Sequence, residues 1–136
     1  MHIVEEDRYK ISCHVDKQDL RQHGITVDDL ISRTPLGHMF IKKAGEISKA
    51  STAYEWPGCG LSMQLELYQD DIVLIFSERI EDFVYNLRQM AIALPKEQTE
   101  SFNKMILRIA TAPEKQARAI IRDFEQNVKN SQNGNA

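Results

Sequence analysis

Gly58-Cys59-Gly60 is where a thiol is flanked by residues that free the backbone around it, an arrangement suited either to a nucleophile or to a tight turn. A nucleophilic thiol needs a base or a cationic field to hold it as thiolate, and the sequence names no such partner for Cys59. The spacing therefore predicts a turn feeding the next strand, with Cys59 filling a small gap. His2, His14, His23 and His38 are scattered, with no two at i, i+4 beside a glutamate, so zinc-ligand spacing is not written here. The glycine-rich phosphate loops and the G-x-S-x-G elbow are likewise not written. The expectation is of a protein that is not an enzyme, with no catalytic residue, no metal and no cofactor.

Residue types suited to recognition are easier to find. Tyr54-Glu55-Trp56 precede Pro57, and an aromatic pair in such a loop either anchors it on the core or offers a protein-binding hot spot. Tyr68, at the end of an alternating segment, is the third protein-binding candidate. The helix, glycine and helix pattern of residues 16–33 resembles a DNA-reading pair, but Asp28 and Asp29 at the start of the second helix would meet phosphates. Nucleic acid is therefore not an expected partner. A DNA-associated regulator and a small-ligand sensor remain the alternative readings.

Positioning these residues falls to a chain of 136 residues, enough for one domain with an appendage. Its 17 basic and 20 acidic residues give a net charge of -3, which supplies no global attraction to nucleic acid or to an anionic membrane. The longest apolar run, Ile72 to Phe76, is far short of a membrane span, so no membrane partner is expected. Two isolated cysteines and a start without a secretory signal point to the cytoplasm.

Ile3 and Val4, then Tyr9, Ile11, Cys13 and Val15 at period two, predict a hairpin. Asp16 caps a short helix ended by Gly24, and Thr26 with Asp29 forms a capping box for a second helix carrying Val27, Leu30 and Ile31. Thr34-Pro35 opens a third, on which Leu36, Met39, Phe40, Ala44 and Ile47 recur at helical spacing to about Ser51. Residues 61–68 alternate and 72–76 form an apolar strand, giving a second hairpin. The expected class is α+β: a four-stranded, mainly antiparallel sheet of two hairpins covered by helices over residues 1–77.

Residues 79–129 then read as a helical extension, with apolar faces on Ile80 to Leu94, Phe102 to Ala110 and Ala117 to Val128. Ile80, Phe83, Leu87, Phe102, Ile106, Ile120 and Phe124 exceed what one small sheet readily covers, which predicts a homo-oligomer. Residues 130–136, rich in Asn, read as a disordered tail.

The strand from Tyr9-Lys10-Ile11 and the run Asp19-Leu20-Arg21-Gln22-His23-Gly24-Ile25-Thr26-Val27-Asp28-Asp29-Leu30-Ile31-Ser32 resemble the N-terminal domain of the MecA adaptor family, negative regulators of genetic competence. The paired strands 61–68 and 71–77 also fall in that family's order, so the resemblance covers about residues 1–77. It implies a non-catalytic adaptor that binds client proteins and delivers them to, or withholds them from, a ClpC-type AAA+ protease. The family's second α+β domain, which docks on the unfoldase, is replaced here by the helical segment.

Overall fold

The computed structural model describes the backbone of residues 1–134 and the side chains of residues 1–131. Its elements run β1 (His2–Asp7), β2 (Lys10–Val15), α1 (Lys17–Gln22), α2 (Val27–Ile31), α3 (Pro35–Ala50), β3 (Ser62–Leu67), β4 (Ile72–Ser77), α4 (Ile80–Ile92), α5 (Lys96–Thr111) and α6 (Glu114–Gly134). The class is α+β, with the expected four-stranded antiparallel sheet and a helical C-terminal part. Two compact units make up the chain: residues 1–56 with 63–77, and residues 57–62 with 78–136.

In the first unit the strand order is β1-β2-β4-β3, so the two hairpins meet through their second strands. Ile11 lies opposite Phe76, Cys13 opposite Leu74 and Val15 opposite Ile72. Because strand side chains alternate between faces, this register puts all six on one side of the sheet. All are buried, together with Leu20 of α1, Leu30 of α2, and Phe40, Ile41 and Ala44 of α3. Cys13 is fully enclosed, and burial pushes its thiol pKa up.

Local chemistry sets the helix starts. Asp16 accepts from the Asp19 amide at 2.8 Å and Asp19 accepts from the Asp16 amide at 3.1 Å, a reciprocal box. The box expected at Thr26 and Asp29 is also formed, with Asp29 accepting from the Thr26 amide at 2.9 Å. Asp29 reaches further than a cap: its other oxygen accepts from the Thr34 hydroxyl at 2.9 Å, while Thr34 caps α3 by accepting from the Gly37 amide at 3.2 Å. Arg33, at φ 54, makes the short left-handed turn between the two helices. At Gly37 a Cβ would sit 2.0 Å from the Asp29 carbonyl oxygen, so the corner closes only because that position has no side chain.

The second unit packs α4, α5 and α6 around Phe83, Val84, Leu87, Ala91, Ile106, Ile109, Ala117 and Ile121. Ile80, Phe102, Ile120 and Phe124 are partly buried against them, with Phe124 edge-on to Phe83 and Phe102. The apolar side chains on which self-association was expected are thus packed together within this unit.

Two features differ from the sequence reading. Residues 57–62 group with the helices, although Ser62 also opens β3, so the first unit is not a continuous 1–77 segment. Residues 130–134, expected as disordered tail, continue α6, where Gln126 Nε2 donates to Asn130 Oδ1 at 3.0 Å across one turn. Residues 135 and 136 of that tail lie outside the described residues.

Candidate functional site

α3 carries more apolar surface than the sheet beneath it uses. Phe40, Ile41 and Ala44 enter the core, whereas Leu36 and Met39 are 56% and 66% exposed and Ile47 is exposed as well. Leu36, Met39, Lys43 and Ile47 follow at i, i+3, i+7 and i+11, which at about 100° per residue aligns them in one outward stripe. Ile31, at the end of α2, is also exposed. The helical spacing groups Leu36, Met39 and Ile47 with Phe40 and Ala44, and Ile31 with Val27 and Leu30; of these the structure buries Phe40, Ala44 and Leu30.

The stripe rests on a firm base. The Asp29 carboxylate bonds to the starts of α2 and α3, and those bonds, led by the Thr26 amide, hold its pKa below the ordinary value. Gly45 faces the Phe76 ring, where an added Cβ would come within 3.0 Å, so the helix lies close on the sheet.

Tyr54 and Trp56 are both half-buried and belong to an anchoring cluster. The Trp56 indole donates to Thr52 Oγ1 at 2.8 Å; the Tyr54 hydroxyl accepts from the Tyr9 amide at 3.1 Å and donates to the Asp7 carbonyl at 3.4 Å. Tyr9, Tyr54 and Trp56 have ring centroids 5.6 to 6.3 Å apart. Arg8 lies over Tyr9 and Tyr54 and Lys49 over Trp56, so each ring already has a cation against it. Burial raises the Tyr54 pKa. Of the two roles left open for this pair, the geometry supplies the anchor.

Tyr68 is different, being 59% exposed at the turn between β3 and β4. Its hydroxyl donates to Glu66, and that carboxylate raises the phenol pKa. Beside it a hollow of about 240 Å³ is lined by Val15, Val27, Leu67 and Ile72 together with Lys17, Gln69, Asp70 and Asp71. Among the three sequence candidates Tyr68 alone stands free to meet a partner, and the structure does not gather the three into one site.

In the helical unit, side chains grip the backbone of the loop 57–60. Glu78, fully buried, accepts from the Gly58 amide at 2.6 Å and Glu125 accepts from the Gly60 amide at 3.1 Å. Arg118 and Arg122 donate to the carbonyls of Cys59 and Pro57 at 3.2 and 3.3 Å. These are charge-assisted bonds, the stronger kind, and they answer the loop's polar groups as the Cys59 side chain enters the apolar core. Cys59 is therefore an enclosed packing residue, in the helical core and not at the start of the strand. Neither Glu78 nor Arg118 was singled out from sequence, since nothing in their spacing marks them.

Among the described residues no group of three or more His, Cys, Asp or Glu is placed to hold a metal ion, and no helix is long and apolar enough to cross a membrane. Compared with protein-family models, with curated proteins and with solved structures, the chain shows no match.

Proposed function

We propose that this chain is a non-catalytic adaptor whose first unit holds a client protein on the outer face of α3. One observation carries the reading: Leu36, Met39 and Ile47 form an exposed apolar stripe on a helix that is otherwise firmly seated. Fixed apolar side chains left in water are a standing cost that a covering protein surface removes, and pre-organisation lowers the cost of ordering them on binding. The resemblance of residues 1–77 to the MecA N-terminal domain supports the same class, with client proteins and a ClpC-type AAA+ unfoldase as the partners it suggests.

The test places a photo-crosslinking amino acid at Met39 in the full chain and, as a control, at Gln98 on α5, and irradiates both in source-cell lysate with and without ATP. The expected result is a defined protein adduct from position 39 that is lost when Leu36→Glu is added. Equal adducts from both positions, or adducts indifferent to Leu36→Glu, would place client binding elsewhere. Co-recovery of a ClpC-type ATPase in the ATP sample would add the degradative role.

A further inference from the structure

The α3 stripe carries three cations and one acid on or beside it. Arg33 precedes the helix, Lys43 lies within the stripe between Met39 and Ile47, Lys42 lies on the exposed side next to it, and Glu46, beside Met39, is the one acid. Arg33, Lys42 and Lys43 have no ion-pair partner among the described residues. A chain whose net charge is -3 thus carries a local positive excess on its exposed α3 face. The opposite sign at this one place favours an acidic ligand and disfavours a basic one, since like charges brought together at an interface are penalised.

The shape of the face narrows the ligand further. Eleven residues separate Leu36 from Ile47, about 16 Å along the helix axis. An extended peptide that binds by strand addition needs a sheet edge, which the side of a helix cannot offer. A second helix can lie along the stripe by ridge-into-groove packing, and Met39, with its flexible thioether, adapts to differing partner side chains.

Resting on the client-binding reading above, we infer that the α3 face takes an amphipathic helix of a partner protein whose apolar stripe is flanked by Asp and Glu. Lys42, Lys43 and Arg33 then set the selectivity, while Leu36, Met39 and Ile47 supply the contact.

The experiment uses the full chain and three fluorescein-labelled helical peptides of about 18 residues, enough for five turns. They share one leucine stripe and differ in flanking residue: Glu, Gln or Lys. Anisotropy should show the Glu peptide binding about tenfold more tightly than the Lys peptide, with the preference shrinking as salt is raised. Lys42→Glu with Lys43→Glu, both at exposed positions, should reverse the order while leaving the thermal melt unchanged. Met39→Glu should weaken binding of the Glu and Gln peptides alike.

Equal binding of the three peptides, or an order unmoved by the charge reversal, overturns the inference. Position-39 crosslinking that persists beside that result leaves the docking reading standing. Absence of binding by every peptide up to about 1 mM overturns it as well. So does binding to phosphatidylserine vesicles in place of any peptide, which would make the face a lipid contact.

Discussion

Replacing Arg118 by Met isolates the clamp on the loop 57–60, because the variant keeps an apolar stem of comparable length and loses the guanidinium. In the parent, Arg118 Nη1 donates to the Cys59 carbonyl at 3.2 Å while the Arg118 side chain lies buried. Without that donor a buried carbonyl has lost its charged partner, a cost of about 1–3 kcal/mol. Two kcal/mol shifts the opening equilibrium of the loop by about 30-fold. Cys59 reports that opening directly, since its thiol reacts with a maleimide or disulfide reagent only when it leaves the helical core. Labelling under native conditions, resolved by peptide mass spectrometry, should therefore accelerate by about 30-fold at Cys59. Cys13, buried in the sheet core, serves as the internal control and should keep its parent rate. An unchanged Cys59 rate would refute the clamp. Equal acceleration at both cysteines would refute its local character, because the loop would then open only when the whole chain unfolds.

Gly37→Ala should destabilise the first unit by about 3 kcal/mol, the upper part of the overpacking range, because its Cβ would meet backbone 2.0 Å away; a urea midpoint equal to the parent's would show that α2 and α3 can part freely. Asp29→Asn should leave a stability deficit that depends on pH in one direction. The folded carboxylate titrates below its ordinary value, so its contribution is complete above about pH 5 and is lost as pH falls through the depressed pKa. The gap between parent and variant urea midpoints should accordingly close on acidification, and a gap constant down to about pH 2 would exclude the Thr26 and Thr34 bonds as its source.

Much of the fold was legible because it is written locally. The alternation of Ile11, Cys13 and Val15, the boxes at Asp16 and Thr26, and proline at the start of α3 each act within a few residues, and the strands and helices fall where those signals stand. What was not legible is long-range. Pro57 to Gly60 look like an ordinary turn before a strand, but their backbone bonds go to Glu78, Arg118, Arg122 and Glu125. No periodicity links a loop to polar residues so far along the chain, and a buried glutamate reads from sequence as a surface one.

The exposed stripe on α3 is an intermediate case, and it shows why the candidate site was half visible. A helix lying on one sheet face needs an apolar arc of roughly 100°, yet Leu36, Met39, Phe40, Ile41, Ala44 and Ile47 spread well beyond that. The excess is countable from sequence; which residues are in excess is not. That choice is made by how the helix is rolled about its axis, and two glycines set the roll. Gly37 must face the Asp29 carbonyl, where there is no room for a Cβ, and Gly45 faces the Phe76 ring, where a Cβ would be tight at 3.0 Å. With those two contacts satisfied, Phe40, Ile41 and Ala44 turn inward and Leu36, Met39 and Ile47 are left on the outer side. Rolling the helix to bury Met39 would turn Gly37 away and bring a residue with a Cβ against the Asp29 carbonyl. The exposure is therefore enforced by the fold, and this is the physical reason to seek the partner there and not at the anchored pair Tyr54 and Trp56.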